Sequence, residues 1–355
     1  MKTSKMMVVV VVLLLAPVGA TADITIETVP VGNPGNTGEL SGNRAGGIGP
    51  DRICGAVAYE YNIGKYEVTA GQYKDFLNAM AKTDTYGLYN ASMNSHAYGC
   101  QITRNGTSGN YTYDFSGRPS GSGTEADWAN RPVNYVSWYD TLRFVNWMTN
   151  GQGTGSTESG SYTITGGGVN AGSVTIPTAT ERATWSTGAN SYFLLTSEDE
   201  WYKAAYHDKN AVLAATYFDY PTSSNSMPSN DLTSPDGGNN ANFYQGGYTI
   251  GSPYYRTPVG EFELSDSPYG TFDQGGNVWE WNESILYDGS SRGLRGGSFN
   301  NNAGNLRAAD RYDINPTNEY NFIGFRVSEV PEPASMAVLA LGSIGMLLRR
   351  RGLRR

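Results

Sequence analysis

Histidine and cysteine are nearly absent from this 355-residue chain, which holds only His96, His207, Cys54 and Cys100. A facial iron triad needs two histidines and a carboxylate, and the two histidines here lie far apart in sequence, outside any ligand spacing. No zinc spacing and no Ser/His/Asp arrangement is present, and no cysteine follows Cys100. Gly166-Gly167-Gly168 lacks a following Lys-Ser/Thr pair, so it reads as a turn and not a phosphate-binding loop. Charge is also sparse, at 16% of residues. With Lys2, Lys5 and the C-terminal arginines set aside, the body carries about −14. That balance excludes nucleic acid and anionic membrane surfaces, which need a basic face, and it suits divalent cations. Glycine, asparagine, serine, threonine and tyrosine dominate instead. They imply a loop-rich, hydrogen-bonded extracellular domain and not a helical bundle.

Long apolar runs occur only at the two ends. Lys2 and Lys5 precede an apolar stretch at 6–16, and Ala20-Thr21-Ala22 supplies a small-residue cleavage pattern. Residues 1–22 therefore read as a secretory signal peptide, with Asp23 the first mature residue. At the other end, Val330-Pro331-Glu332-Pro333 leads into an apolar stretch at 334–348 and then Arg349, Arg350, Arg351, Arg354 and Arg355. Fifteen helical residues reach roughly 22 Å, short of the ~30 Å hydrocarbon core. The order Pro-Glu-Pro, short apolar helix, arginine cluster over 329–355 resembles a PEP-CTERM sorting signal. The resemblance implies transient membrane anchoring through the helix, tail removal by an exosortase, and delivery to the cell surface or extracellular polysaccharide.

Between the ends, residues 23–54 read as an exposed Gly/Pro/Asn-rich leader with one short strand, and 55–328 as a single domain. In an oxidising compartment Cys54 and Cys100 are expected to form a disulfide worth about 3–4 kcal/mol; the alternative is two free thiols. Alternation of Val57, Tyr59, Tyr61 and Ile63 predicts a strand over 56–63. Thr69 caps a helix whose apolar face is Tyr73, Phe76, Leu77 and Met80. Ser137 with Asp140 opens a second helix, which buries Trp138, Leu142, Val145 and Met148. Residues 151–172 read as a hairpin or surface insertion with a strand at 162–165. Ser197 and Glu200 form a capping box for a third helix, with Thr196 a rival cap. Beyond Tyr206, regular structure is expected to be scarce.

Six segments then occur in order. They are Ile63-Gly64-Lys65-Tyr66-Glu67-Val68-Thr69, Arg131-Pro132-Val133-Asn134-Tyr135-Val136-Ser137-Trp138, Leu195-Thr196-Ser197-Glu198-Asp199-Glu200-Trp201, Gly275-Gly276-Asn277-Val278-Trp279-Glu280-Trp281, Arg295-Gly296-Gly297-Ser298-Phe299 and Gly324-Phe325-Arg326. Together they resemble the formylglycine-generating enzyme/sulfatase-modifying-factor superfamily over 55–328. The resemblance implies a modified C-type-lectin-like α+β fold, loop-rich with little regular secondary structure. An extended backbone places Trp279 and Trp281 on one face and Glu280 on the other. Asp273, Glu280 and the intervening backbone carbonyls form an oxygen-rich set suited to calcium. By resemblance the calcium ligands are Asp273, the carbonyls of Gly276 and Val278, and Glu280. A second family site begins at Asn242 and Phe243, but no aspartate occurs in 248–258, where Gly251 or Ser252 takes its place.

Active formylglycine-generating enzymes hold copper on two cysteines after the Gly-Gly-Ser-aromatic segment, because soft thiolates select Cu(I). Here Asn301 and Leu306 stand at those positions, so no copper is expected. The chain reads as a catalytically degenerate, calcium-stabilised module that binds peptide or glycan through its tyrosine-rich loops at 244–255 and its asparagine-rich loop at 300–305. The rival reading is a metal-dependent oxidoreductase of the same superfamily with an unrecognised site, for which His207 is the residue to test.

Overall fold

Side-chain caps decide where the helices begin. In the computed structural model, which describes residues 23–330 apart from 170, 171, 234 and 288, Thr69 accepts from Gln72 N while the Gln72 side chain accepts from Thr69 N, opening helix Ala70–Met80. Ser137 with Asp140 and Ser197 with Glu200 open Trp138–Thr149 and Glu198–Tyr206 in the same way. Each box satisfies two backbone N–H groups that the helix itself cannot. Thr124 with Asp127 and Thr178 with Glu181 do so again for Glu125–Ala129 and Ala179–Trp185. These two short helices bury only Trp128 and only Arg182, too little apolar surface to leave a periodic pattern in the sequence.

Two four-stranded sheets organise the chain. The first runs Thr28–Val31, Tyr61–Gly64, Val327–Val330, Tyr192–Leu195, with every pair antiparallel. The second runs Tyr312–Ile314, Arg292–Arg295, Trp279–Ile285, Ile323–Phe325, and its last pair is parallel. Consecutive strands Ile323–Phe325 and Val327–Val330 belong to different sheets, so Arg326 sits at the joint. Its guanidinium donates to the carbonyls of Gly64 at 2.8 Å and Phe272 at 2.7 Å. Helix Trp138–Thr149 packs on both sheets, and Tyr73, Phe76, Phe144 and Trp147 form a continuous aromatic core beside it.

Four expectations are corrected. Residues 23–54 are not an exposed leader. Thr28–Val31 pairs with Tyr61–Gly64, Glu39–Ser41 pairs with Arg52–Cys54, and Ser41 Oγ donates to the Ala308 carbonyl at 2.7 Å. The glycines there serve close packing: a Cβ on Gly47 would stand 2.2 Å from the Ala309 carbonyl oxygen. The strand expected over 56–63 is confined to Tyr61–Gly64. The scarcity of regular structure expected beyond Tyr206 holds as far as Val278, where only the short turn Lys209–Ala211 occurs, and fails after it, because the whole second sheet lies there. The insertion at 151–172 is a hairpin of Thr163–Thr165 with Ser173–Thr175, whose second strand falls just past the expected limit. The signal peptide and the apolar helix and arginines of the tail lie outside the described residues.

The fourth correction concerns Cys54 and Cys100, which are unbonded and both buried. They belong to different hydrophobic clusters. Cys54 packs with Trp201, Tyr202 and Ala308, whereas Cys100 lies in the main core with Ile102 and Val133. The Arg295 guanidinium donates to Cys54 Sγ at 3.3 Å, and Cys100 Sγ faces the Asn134 carbonyl at 4.0 Å. Burial pushes both thiols up, Cys54 to about 11, which disfavours the reactive thiolate. Two thiols should therefore titrate with Ellman's reagent in denaturant and essentially none in the native protein; a single bonded pair in denaturant would restore the disulfide.

Candidate functional site: an acidic loop beside a tyrosine-rich face

The loop from Asp273 to Val278 turns through three left-handed residues, Asp273 (φ 60°), Gly276 (φ 92°) and Asn277 (φ 53°). Only glycine fits at 276, since a Cβ would stand 2.2 Å from the Asn242 carbonyl oxygen. That close approach is a parallel bridge between Asn242 and Gly276, strengthened by Asn277 N donating to the Asn242 carbonyl at 2.9 Å and Asn242 Nδ2 to Asn277 Oδ1 at 2.8 Å. The two segments expected to hold separate cations are thus stitched to each other. Asn242 Oδ1 is buried without a partner, while the Phe243 carbonyl accepts from Thr249 Oγ1 and Asn230 Nδ2. The Gly251 carbonyl accepts from Tyr254 N and Tyr255 N, so that neighbourhood offers no carboxylate.

The strand Trp279–Ile285 fixes the second half of the acidic loop. Trp279 and Trp281 are both buried on one face; Trp281 Nε1 donates to the Val136 carbonyl and Trp279 Nε1 to Asn301 Oδ1. Glu280 is buried on the opposite face. Its carboxylate accepts from Trp201 Nε1 at 2.7 Å and from Arg326 at 2.9 and 3.1 Å. Oε2 takes two of these bonds, from Trp201 and Arg326, so Oε1, which accepts from Arg326 alone, is the oxygen that keeps a second lone pair. Asp273 Oδ2 accepts from Gly260 N at 2.6 Å. Burial pushes the Asp273 carboxyl up to about 6, opposed by the Gly260 N–H and Arg326 and reinforced by Glu280.

Sequence reasoning missed Glu67. Its side chain is buried 4.0 Å from Arg326, and neither carboxylate oxygen has a hydrogen-bond partner. Burial, and next the Asp273 charge, pushes it well above the usual carboxylate range. Three carboxylates therefore crowd one guanidinium, and the unpartnered pair of Glu67 oxygens is the kind of vacancy in hydrogen bonding that a cation relieves. The residues fit a calcium ion on that ground. Among the described residues no three His, Cys, Asp or Glu side chains cluster as ready metal ligands, so main-chain carbonyls such as those of Gly276 and Val278 would have to complete such a site. The signal in the sequence was Glu67 itself, an acid placed directly before the buried Val68 in a family segment.

Asn301 and Leu306 lie beside that loop, and a Cβ on Gly275 would stand 3.4 Å from Leu306 Cδ2. Asn301 Oδ1 accepts from Trp279 Nε1 at 2.8 Å, and the Asn301 carbonyl accepts from Tyr244 N at 2.8 Å. Leu306 is fully buried in a small apolar cluster with Tyr220, Phe243 and Ala303. One position is thus a hydrogen-bonded amide and the other an apolar plug; neither supplies a thiolate. Beside them the loops gather rings. Tyr98 meets Tyr255 edge-on at 4.4 Å, Tyr248 lies 5.4 Å from Tyr244 and 5.2 Å from Tyr255, and Phe299 borders all but Tyr244 within about 6 Å. Tyr244 and Tyr248 are about two-fifths exposed. His207 is buried elsewhere, with Nδ1 at 3.0 Å from the Tyr269 hydroxyl and Nε2 at 3.1 Å from the Ala214 carbonyl. His96 is exposed and packs on Tyr98 and Tyr135.

Among solved structures, the chain is similar to Treponema denticola variable protein 1 (19% identity, TM-score 0.48, covering 87% of this chain and 97% of that one). It is similar to CarF (21%, 0.47, 86% and 98%) and to PvdO from Pseudomonas aeruginosa (18%, 0.45, 85% and 93%). No curated protein sequence matches. A PEP-CTERM protein-sorting motif matches residues 329–351, which marks the chain as an exported, cell-surface-directed protein processed by an exosortase. The model of the sulfatase-modifying factor enzyme 1-like domain matches residues 49–330, and with that span the chain belongs to this family.

Proposed function

We propose that this exported domain is a non-catalytic binding module, stabilised by calcium at Asp273, Gly276, Val278 and Glu280 and displayed at the cell surface or in the extracellular matrix after tail removal. The observation that carries the reading is the tyrosine cluster built around the positions where the family's enzymes keep their copper cysteines. Asn301 and Leu306 are committed there to a hydrogen bond and to packing, while Tyr244 and Tyr248 present ring surface to solvent. Aromatic rings of this kind anchor peptide or sugar at low entropic cost. Phe299 and Tyr255 pack against Tyr248, which in turn meets Tyr244, so the face is held in shape before a ligand arrives.

A combined glycan and peptide array tests this. Ligand retained by the purified protein should be lost by at least about tenfold in Tyr248→Ala, a typical cost of truncating an aromatic anchor, with the melting temperature unchanged. Turnover of a cysteine-containing sulfatase peptide to formylglycine, or retention indifferent to Tyr248→Ala, would contradict the proposal.

A further inference from the structure

Where helix Trp138–Thr149 begins, the chain forms a cavity of about 400 Å3 that shares no lining residue with the tyrosine-rich face. Its volume lies in the range of small-molecule sites, about 300–1,000 Å3. Tyr139 and Val174 give it partly exposed apolar wall, and Arg292 is the one charged residue among its described lining. No aspartate or glutamate is among those lining residues.

Arg292 is held in place but not neutralised. Its guanidinium lies 4.2 Å from the centre of the Trp138 ring, which is fully buried and so serves as a brace. Nη1 donates to the Glu283 carbonyl at 3.3 Å, Nε is buried with no acceptor, and Nη2 has none among the described residues. Arg143, Arg182, Arg295, Arg311 and Arg326 each hold a carboxylate within 4 Å; among the described residues Arg292 holds none. The acids of the adjoining strands are engaged elsewhere. Glu283 accepts from Arg182 and Tyr162, and Asp313 accepts from Ser291 Oγ. Burial pulls the Arg292 guanidinium down, while the Tyr139 phenol and then the Glu283 charge push it back up. A guanidinium stays charged under either influence.

Tyr139 adds a donor to the same cavity. Of the first N–H groups of its helix, that of Trp138 goes to the Pro316 carbonyl and that of Asp140 to Ser137 Oγ. Tyr139 N has no partner among the described residues, and it stands at the end of the helix that favours negative charge.

We propose that this cavity is a second binding site, separate from the tyrosine-rich face, for a small monocarboxylate. The carboxylate accepts from Arg292 Nη2, and the apolar body of the ligand packs against Tyr139 and Val174. One guanidinium balances one charge, so a monoanion suits the site better than phosphate. A second negative charge would meet a body that already carries about −14. That net charge opposes any anion at a distance, so the binding rests on direct contact with Arg292, well inside the Debye length of about 8 Å.

Calorimetric titration of the purified protein with benzoate, benzamide, acetate and inorganic phosphate tests this. Benzoate should bind at least about tenfold more tightly than benzamide, which lacks the charge, and than acetate, which lacks the ring. Arg292→Gln should weaken benzoate by about tenfold or more, and Tyr248→Ala should leave it unchanged. Ser173→Phe, at an exposed lining position, should weaken benzoate by filling the cavity. That variant keeps the test decisive should Arg292→Gln lower the melting temperature. Equal binding of benzoate and benzamide, or benzoate binding that survives both cavity variants, overturns the site. Tighter binding of phosphate overturns the monocarboxylate class. If none of the four binds, the proposal fails, and the tyrosine-face reading is still decided separately by its own array.

Discussion

Glu198→Gln is expected to cost about 3–5 kcal/mol, because it leaves two buried arginines without a carboxylate. Glu198 accepts from Arg295 at 2.8 and 3.0 Å, from Arg311 at 2.7 Å on each oxygen, and from Arg52 at 2.8 Å. Arg295 and Arg311 are almost fully enclosed, whereas Arg52 is more than a third exposed and contributes little. The loss would be a large fraction of the 5–15 kcal/mol typical of a folded domain. It would loosen three pieces of chain together: the hairpin at Arg52, the strand Arg292–Arg295, and the turn that carries Arg311. Burial alone raises the Glu198 carboxyl, but Arg295, Arg311 and Arg52 outweigh it and hold the group well below the usual carboxylate range. A depressed folded-state value means that this stabilisation is complete above the unfolded carboxylate pKa of about 4.3 and is lost as pH falls below it. Urea melts at pH 7 and pH 3 should therefore show wild type losing part of its margin in acid and the variant losing less. A variant within 1 kcal/mol of wild type at pH 7 would show that the three arginines are held by other means.

What the sequence made legible was whatever it encodes locally. Thr69, Ser137 and Ser197 announce their helices by a hydroxyl three residues before a partner that can reach back, and all three helices begin there. The Trp279-Glu280-Trp281 alternation follows from the pleat of a strand and survives intact. The family segments were legible because each carries unusual residues in fixed order. The structure shows why several are needed. Arg326 ties Gly64, Phe272 and Glu280, and Trp201 reaches the same glutamate, so four of the segments meet at one carboxylate.

The remainder depends on contacts far apart in the chain. Residues 23–54 have the composition of a flexible segment, yet their strand pairs with Tyr61–Gly64 and their turns pack against Ala309 and Arg311. Glycine content cannot distinguish mobility from close approach. Cys54 and Cys100 gave a pair by number alone, and only the two separate clusters show that they do not meet. Glu67 was visible as a residue but not as an orphan, since its lack of partners arises where three distant acids share Arg326.

The central claim, a calcium-stabilised domain that has given up metal redox chemistry, bears most directly on the acidic loop. Asp273, Glu280 and Glu67 carry three carboxylates against the single charge of Arg326, so two charges are left for a divalent cation to balance if all three ionise. Binding to the native state alone stabilises it by about 4 kcal/mol at a thousand times Kd, which for a domain of this size corresponds to a melting temperature raised by roughly ten degrees. Elemental analysis of the purified protein, paired with melting curves in calcium and in chelator, measures both parts of the claim together. The account predicts roughly stoichiometric calcium, neither copper nor iron, and a melting temperature that falls by about ten degrees in chelator for wild type but barely changes for Asp273→Asn. Stoichiometric copper or iron, or a melting temperature indifferent to chelation, would contradict it.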